Sequence, residues 1–329
     1  MIITQTPLRI SFFGGGTDYP EYFEKHGGAV LGTAVNFSAF FSVFRFYSEL
    51  FDYSIRISYR QVECVRGIDE IQHAPFRECL RWCDVIKDIE IDHAAELPAF
   101  TGLGSSSTFV VGLLNSLFAY KGRNLSPLDL AYQAIELERM VLKESVGCQD
   151  QTFAALGGIN LVEFKATDHI VPHLVPLSPE RIKEFENHLV LVFTGIKRKA
   201  EEMAAKTIQN IGSNLGNLTE MKRMVEEGYR ILVNGGSLLP FGHLLHKAWT
   251  MKRELADGIT NPLIEKCYSD ALEAGAVGGK LLGAGGGGFL LLFVPPEKRK
   301  NVLSRLRDLK VVDFTMNAPG SRIVFSKTV

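Results

Sequence analysis

The sequence predicts a two-domain protein of the α+β class. Its 329 residues are many for one hydrophobic core and suit two domains of ordinary size. Both halves contain segments with strand character and segments in which apolar residues recur at helical spacing. The polar segment "PLSPERIKEFEN" lies between the halves, and we therefore expect one domain at residues 1–185 and a second at residues 186–329.

The first half contains predicted strands at residues 29–46 and 53–65, rich in β-branched and aromatic residues, and the strands "RISFF" and "GGINLVEF". "YPEYFEKH" and "HAPFRECLRWCDVI" predict helices, and "TFVVGLLNSLFAY" predicts a helix that is buried on almost every side. "SPLDLAYQAIELERMVLKESVG" predicts one long helix that is capped by Ser126, has Pro127 at its first position and ends at Gly147.

The second half begins with the predicted strand "HLVLVF". We expect helices near residues 199–211, 217–233, 243–256 and 262–274. A glycine-rich loop, the strand "FLLLFVPP", the helix "EKRKNVLSRLRDL" and two short strands complete the chain.

The charge balance argues against a nucleic-acid or membrane partner. Lysine plus arginine (36) nearly cancels aspartate plus glutamate (37), so no global field exists to recruit a polyanion. The N-terminus lacks the pattern of a signal peptide, and the apolar stretch 30–44 is too short and too polar to span a bilayer. The five cysteines form no CxxC pair that would indicate a metal site. We therefore expect a cytoplasmic protein in which the residues of one local site bind any anionic ligand.

The stretch "GLGSSS" at residues 102–107 precedes the predicted buried helix. A helix N-terminus offers unpaired N–H groups and a partial positive charge, and glycine lets a ligand approach the backbone. Serine hydroxyls beside those amides can bind phosphate oxygens or a magnesium ion. The same residues also fit an ordinary serine N-cap after a turn.

The stretch "GAGGGG" at residues 283–288 matches the GxGxxG dinucleotide fingerprint only formally. That fingerprint requires a helix after the loop, whereas a strand follows here, so a Rossmann fold is excluded. Four consecutive glycines still require that some group, either a neighbouring loop or a ligand, comes close to the backbone. Neither the Walker A motif nor the protein-kinase HRD and DFG motifs occur.

A third glycine segment, "RISFFGGGTDY" at residues 9–19, leads from a strand to Thr17 and Asp18. Asp18 fits a helix N-cap, and it equally fits a group that holds substrate hydroxyls at the mouth of a site.

Two carboxylates are candidates for catalysis. Helical spacing places Glu138 on the apolar face of its helix, where a carboxylate is costly unless it pairs with a buried arginine or binds a cation such as magnesium. Asp150, in "GCQDQTF", precedes an apolar turn and strand. It is a candidate general base for a substrate hydroxyl, although an aspartate so placed is often only a turn residue.

These motifs resemble those of the GHMP small-molecule kinases. "PAFTGLGSSSTF" resembles the second signature of that family, "RISFFGGGTDY" the first and "KLLGAGGGGF" the third. "ELER" followed by "GCQDQ" resembles the segment that carries the magnesium-binding glutamate and the catalytic aspartate. The resemblance spans residues 7 to about 290 and implies an N-terminal domain like domain 2 of ribosomal protein S5 and a ferredoxin-like C-terminal domain.

The resemblance also implies roles for individual residues, with ATP and Mg²⁺ as the cofactors. Asp150 would accept the proton of the attacking hydroxyl, and Arg9 would lie beside it, keep it ionised and stabilise charge in flight. Ser106 and Glu138 would be the metal ligands. The ATP phosphates would be bound by Gly102, Leu103, Gly104, Ser105, Ser106, Ser107, Gly285, Gly286 and Gly287.

Within the family, "PLRISFFGGGTDYP" is most similar to kinases that phosphorylate the anomeric C1 hydroxyl of D-glycero-D-manno-heptose 7-phosphate. Galactokinases carry a Glu-His pair where this chain has Gly15 and Gly16, so galactose contacts are not expected. A small-molecule sugar phosphate would then be bound by Gly15, Gly16, Thr17, Asp18, Lys197 and Arg198. The basic run at residues 197–199 also fits a solvated helix start.

Two other functions also fit these residues. Kinases of fucose, galactose or octose type share the mechanism, and a catalytically silent sugar sensor shares the fold. A sensor needs no base, so the presence of Asp150, Glu138 and Arg9 favours an enzyme. The sequence does not indicate an oligomeric state.

Overall fold

The computed structural model describes residues 1–197 and 201–327 and confirms the predicted α+β class. The chain forms an eight-stranded sheet and a four-stranded sheet, with helices packed against both. In the described part of the chain, no helix is long and apolar enough to cross a bilayer.

The first sheet is built around one long strand, β2, which pairs antiparallel with β1 over most of its length. The start of β2 also pairs with β6, and its end pairs with β5. The strands of this sheet are β1 (Ile2–Phe13), β2 (Gly28–Arg45), β3 (Ile55–Ser58), β4 (Val62–Val65), β5 (Ile89–Ala95), β6 (Ile159–Ala166), β7 (His169–Leu174) and the C-terminal strand Arg322–Ser326. The predicted strand 53–65 is therefore a hairpin of two short strands.

The helices of the first half are α1 (Pro20–His26), α2 (Ala74–Trp82), α3 (Ser105–Tyr120), α4 (Pro127–Glu136), α5 (Gln149–Leu156) and α6 (Pro179–Asn187). The prediction of a buried helix after the serine run is confirmed, because α3 packs on β1 and β2 and buries Val110, Leu113 and Leu117 completely or nearly so. Apolar side chains on all faces of α3 have no other stable location.

The predicted long helix over residues 126–147 is partly wrong. Ser126 caps it as expected, since its hydroxyl accepts the Asp129 N–H at 3.2 Å. The α-helical part ends at Glu136, a π-helical turn follows at Leu137–Val141, and Lys143 adopts a left-handed φ of 57° that stops the helix before Gly147. The freed segment 143–147 forms a loop.

The second sheet is fully antiparallel, with strands β8 (Leu189–Phe193), β9 (Gly278–Leu281), β10 (Phe289–Phe293) and β11 (Lys310–Val312) in the spatial order β11-β8-β10-β9. Four helices join β8 to β9, namely α7 (Glu201–Gln209), α8 (Leu215–Val233), α9 (Leu239–Arg253) and α10 (Pro262–Glu273), and α11 (Arg299–Arg305) joins β10 to β11. This β-α-β-β-α-β order is the ferredoxin-like arrangement that was expected.

The predicted domain limit at residue 185 falls inside α6. Strands β1–β7 precede it and lie in the first sheet, whereas β8–β11 follow it and lie in the second. The last strand, β12 (Arg322–Ser326), also follows the limit but pairs with β1. The limits 1–185 and 186–329 stay a prediction, and the end of the chain returns to the first sheet.

Aromatic side chains join the two sheets. The ring of Phe185 on α6 lies 5.4 Å from that of Phe12 on β1, 4.7 Å from that of Phe241 on α9 and 6.5 Å from that of Phe293 on β10. All four side chains are completely buried. This packing fixes the orientation of one sheet on the other.

We predict that Phe185→Ala lowers the free energy of unfolding by about 3–5 kcal/mol, because it leaves a cavity between the sheets. Phe325→Ala is the matched control, since Phe325 lies on β12 with 46% of its surface exposed and should cost less than about 1 kcal/mol. Denaturant unfolding of the two variants measures the difference. Equal losses would mean that the aromatic cluster does not join the sheets.

Candidate active site

A cavity of about 470 Å³ lies between the two sheets, and all three glycine-rich segments line it. Gly15 and Gly16 follow β1, Gly102 and Gly104 precede α3, and the loop between β9 and β10 closes the opposite side. The site is therefore assembled from segments that are far apart in the sequence.

Two of the glycine segments touch each other through their backbones. A Cβ atom added to Gly102 would lie 2.6 Å from the Leu282 carbonyl oxygen, and one added to Gly283 would lie 2.6 Å from the Gly102 Cα. The Phe289 N–H also donates to the Thr101 carbonyl at 3.0 Å. The group that approaches the glycine backbone closely is thus, at these positions, a neighbouring loop.

The loop at residues 283–288 is held from its other side as well. The N–H groups of Gly286 and Gly288 donate at 2.8 Å to the carbonyl oxygens of Ile259 and Ile196. Gly285 and Gly287 line the cavity, as expected, but the amide of Gly286 is already bonded to protein. Phosphate binding by Gly285 and Gly287 stays a prediction, and Gly286 acts in holding the loop.

The N-terminus of α3 opens into the cavity. The N-cap residue is Gly104, no side-chain hydrogen bond caps the helix within the described chain, and Ser105, Ser106 and Ser107 line the cavity with it. The interpretation as a plain serine N-cap is therefore wrong. Leu103 is buried in the core, and its carbonyl oxygen accepts the Arg9 N–H at 3.0 Å. A helix start that lacks a cap is suited to bind an anion.

Arg9 and Asp150 form a bidentate ion pair beside this helix start. Arg9 Nε and Nη2 donate to the two carboxylate oxygens of Asp150 at 2.8 and 2.7 Å, and Nη1 donates to the Gly102 carbonyl at 2.8 Å. Arg9 is buried, whereas 26% of the Asp150 side chain is exposed towards the cavity. The predicted neighbourhood of the two residues is present. Asp150 lies in the first turn of α5, a helix that the sequence analysis did not predict.

Asp18 lies in the cavity wall with 1% of its surface exposed. Its carboxylate accepts the N–H groups of Gly16 at 3.0 Å and Gln149 at 3.3 Å. It is not the N-cap of α1, a position that Tyr19 occupies. Burial raises the pKa of Asp18 to about 6, and the nearby Asp150 carboxylate adds to the rise.

The expectation that Thr17 contacts substrate needs correction. Its hydroxyl donates to the carbonyl oxygens of Gly14 at 2.8 Å and Ala29 at 2.9 Å, and the side chain is completely buried outside the cavity. Thr17 therefore holds the glycine turn against β2.

Glu138 is completely buried, as the helical spacing predicts. It accepts hydrogen bonds from the Ser107 hydroxyl at 3.0 Å and from the Gln151 amide, and no lysine or arginine of residues 1–197 and 201–327 pairs with it. Its salt bridge to a buried arginine is thus not observed. Burial raises the pKa of Glu138 to about 8.

The residues around Glu138 fit a magnesium ion. Glu138 Oε1 is buried without a hydrogen-bond partner, and such a carboxylate oxygen is a ligand that Mg²⁺ prefers. The serine joined to Glu138 is Ser107, whereas the predicted ligand Ser106 is exposed on the cavity rim. Ser107 lines the cavity and bonds to Glu138 behind it, and metal binding by Ser106 and Glu138 stays a prediction.

Two lysines in the cavity wall were missed by the sequence analysis. Lys252 on α9 donates to the carbonyl oxygens of Leu281 at 2.9 Å and Gly283 at 2.5 Å, and Lys280 on β9 donates to the Phe12 carbonyl at 2.8 Å. Burial lowers the pKa of Lys252 to about 7 and also lowers that of Lys280, and Arg9 contributes to both shifts. The signal in the sequence was one lysine in the apolar strand "GGKLLG".

Of the predicted basic run, the structure describes Lys197 alone. Lys197 is exposed and does not line the cavity, and Arg198 and Lys199 lie outside the described residues. Among the lysines and arginines of the described chain, those that line the cavity are Arg9, Lys252 and Lys280.

Comparison with known proteins agrees with this geometry. The model of the GHMP kinases N-terminal domain matches residues 70–158, and the model of the GHMP kinases C-terminal domain matches residues 230–311, together more than half of the chain.

Among curated proteins, the chain is 29% identical to a D-glycero-alpha-D-manno-heptose 7-phosphate kinase of Campylobacter jejuni over 97% of both chains. It is 27% identical to an L-fucokinase/L-fucose-1-P guanylyltransferase of Bacteroides fragilis over 98% of this chain and 37% of that protein.

Among solved structures, a D-glycero-D-manno-heptose 1-phosphate kinase of Bacteroides thetaiotaomicron superposes with a TM-score of 0.82 at 22% identity, covering both chains completely. A putative sugar kinase of Campylobacter jejuni superposes with a TM-score of 0.71 at 26% identity, over 98% of this chain and 97% of that one.

The pKa of Asp18 generates a stability prediction. Because its pKa is raised above the ordinary value of 3.8, the folded protein keeps a proton that the unfolded chain releases between about pH 4 and 6. The contribution of Asp18 to stability is therefore complete below about pH 4 and falls as the pH rises through about 6. Asp18→Asn removes this dependence, and its free energy of unfolding relative to wild type should rise by up to about 3 kcal/mol from pH 4 to pH 7.

Denaturant unfolding at the two pH values measures this change, with Asp168→Asn, in the exposed turn after β6, as the control. A difference between Asp18→Asn and wild type that does not vary with pH would contradict the assignment.

Proposed function

Since this chain belongs to the GHMP kinase family and is an ATP-dependent sugar kinase within it, we propose that its substrate is D-glycero-D-manno-heptose 7-phosphate. In this proposal the γ-phosphate of ATP is transferred to the anomeric C1 hydroxyl, giving the 1,7-bisphosphate. The similarity to the heptose 7-phosphate kinase over nearly the whole of both chains supports the choice of sugar.

The observation that carries the mechanism is the position of the Arg9–Asp150 pair directly beneath the helix start of α3. A Cβ atom on Gly104 would lie 3.2 Å from Arg9 Cγ and 3.3 Å from Asp150 Oδ2. A phosphate group held by the N-terminus of α3 therefore lies next to a carboxylate that can accept a proton.

The proposed step is an in-line displacement. The C1 hydroxyl oxygen forms a bond to the γ-phosphorus, the bond from that phosphorus to the oxygen bridging to the β-phosphate breaks, and ADP leaves. Asp150 takes the hydroxyl proton. Arg9 orients the carboxylate through its bidentate hydrogen bonds, and its positive charge stabilises the negative charge on the phosphoryl group in transit.

Lys252 and Lys280 lie in the cavity wall and add positive charge there when protonated. Both are buried, and both lie close enough to Arg9 and Asp18 for the charges of those two residues to shift the pKa of each lysine. When protonated, each Nζ has three N–H bonds, of which two in Lys252 and one in Lys280 are used by backbone carbonyls, so each can then donate to a phosphate oxygen. We assign these lysines, rather than Lys197, to the stabilisation of phosphate charge.

A magnesium ion would be held by Glu138, with the Ser107 hydroxyl beside it. When bound, such an ion neutralises charge on the ATP phosphates. Glu138 contributes the carboxylate oxygen Oε1, which otherwise stays buried without a partner. Ser107 fixes the other carboxylate oxygen by its hydrogen bond.

Release of ADP with magnesium and ATP tests the substrate across a panel of heptose 7-phosphate, mannose 6-phosphate, free heptose, fucose and galactose. We expect turnover with heptose 7-phosphate that is much faster than with the others. Preference for fucose would move the assignment to the substrate named for the Bacteroides fragilis relative. ATP binding without turnover of any sugar would contradict the kinase and favour a silent sensor.

We predict that Asp150→Asn lowers kcat by roughly 10²- to 10⁴-fold, because an amide cannot accept the hydroxyl proton. ATP affinity should change little, since an asparagine has the same size and its carbonyl oxygen can still accept a hydrogen bond from Arg9, so the helix start and the glycine loops stay in place. Steady-state kinetics and ATP titration measure the two effects, and Asp168→Asn serves as the exposed control. A variant that retains near-normal kcat would remove Asp150 as the base.

Lys280→Met should lower kcat by roughly 10²-fold, while thermal unfolding shows that the fold persists. The comparison variant is Lys197→Ala, which removes the exposed lysine of the predicted clamp. We expect it to leave the KM for the sugar phosphate unchanged. If Lys197→Ala instead raises that KM and Lys280→Met has no effect, the clamp predicted from the sequence is correct and our reassignment is wrong.

A further inference from the structure

Two side chains beside Gly15 carry polar atoms that the protein leaves unsatisfied. Ser11 is 7% exposed, and its Oγ is buried without a hydrogen-bond partner. Gln149 Oε1 is likewise buried without a partner. Both residues line the cavity. A buried polar atom with no partner costs free energy, so a ligand group that bonds to it gains affinity.

The two side chains converge on one point. A Cβ atom placed on Gly15 would lie 3.8 Å from Ser11 Oγ and 3.8 Å from Gln149 Nε2. The backbone N–H groups of Gly16 and Gln149 both donate to the Asp18 carboxylate, which ties the glycine turn to the start of α5. Asp18 thereby fixes Gln149 and the glycine turn relative to each other around the open position above Gly15.

The chemistry of this position selects a neutral hydroxyl group. A serine hydroxyl and a carboxamide both donate and accept hydrogen bonds, which matches a sugar hydroxyl. The carboxylates of Asp18 and Asp150 line the same cavity and repel an anion there, whereas the cations Lys252 and Lys280 enter it from α9 and β9.

We propose that Ser11 and Gln149 form a hydroxyl-binding subsite, bounded by Gly15, that recognises one hydroxyl of the sugar substrate and excludes sugars lacking it. The proposal rests on the proposed function for the identity of the sugar. It adds two specificity-determining residues and a reason for glycine at position 15. A side chain at that position fills the space that the hydroxyl occupies.

Gly15→Ala tests the subsite with little risk to the fold. Gly15 has no left-handed φ, and the added methyl group makes only ordinary contacts at 3.8 Å. Gly67→Ala is the matched control, because its nearest atom would also lie at 3.8 Å and Gly67 is remote from the cavity. We expect Gly15→Ala to weaken sugar binding by roughly tenfold or more, with ATP affinity unchanged. Gly67→Ala should change neither affinity.

Calorimetric titration with single-deoxy analogues of heptose 7-phosphate separates a binding role of these residues from a merely structural one. The measured quantity is the loss of affinity that each missing hydroxyl causes. Wild type should bind one analogue roughly 10- to 100-fold more weakly than the parent sugar. In Ser11→Ala and Gln149→Met that penalty should shrink to about twofold, because the partners of the missing hydroxyl are gone.

Penalties that persist unchanged in both variants, or a Gly15→Ala variant with wild-type sugar affinity, would overturn the subsite. Binding is measured apart from turnover, so a protein that binds the sugar with these penalties but does not phosphorylate it would sustain the subsite and contradict the kinase. A wild-type protein that binds neither heptose 7-phosphate nor any other sugar of the panel would overturn the subsite.

Discussion

The bidentate ion pair between Arg9 and Asp150 is the contact on which the rest of the cavity depends. Arg9 lies on β1, and its side chain also bonds to the carbonyl oxygen of Gly102, while its backbone N–H bonds to Leu103. One arginine thus joins the first sheet, the loop before α3 and the start of α5. Because the pair is largely buried, removal of either partner leaves a charge without compensation. The same two residues therefore hold the cavity wall together and carry the charges of the proposed reaction.

The second sheet completes the site through backbone contact and charge. Gly102 and Gly283 approach so closely that neither position has room for a side chain, and Lys252 holds the same loop through two carbonyl oxygens. Burial raises the pKa of Asp18 to about 6 and lowers that of Lys252 to about 7. A phosphate that enters the cavity changes the protonation of these groups, since its negative charge favours the protonated form of the lysine.

The sequence predicted the local features of this fold well, because they depend on periodicity and turn chemistry. The buried helix α3, the cap at Ser126 and the burial of Glu138 follow from such patterns, whereas the ferredoxin-like second sheet was expected from the family resemblance. The neighbourhood of Arg9 and Asp150 joins residues 141 positions apart and came only from the family resemblance.

The sequence-based predictions that were wrong or missing concern features that depend on long-range contacts. The π-helical turn and the left-handed Lys143 end a helix whose pattern continues, and the hydrogen bond between Ser107 and Glu138 joins residues 31 positions apart. Lys252 and Lys280 were missed because the sequence around a lysine does not indicate which distant groups it will contact. Their partners are the backbone carbonyl oxygens of Leu281, Gly283 and Phe12.

The central claim is that this cavity directs the phosphoryl group of ATP to the anomeric hydroxyl of a sugar phosphate. The most direct measurement is phosphorus NMR of the product formed from heptose 7-phosphate and magnesium-ATP by the full chain. The account predicts a new phosphate resonance coupled to the anomeric proton, beside the unchanged resonance of the 7-phosphate. A phosphate on any other hydroxyl, or inorganic phosphate alone, would contradict it.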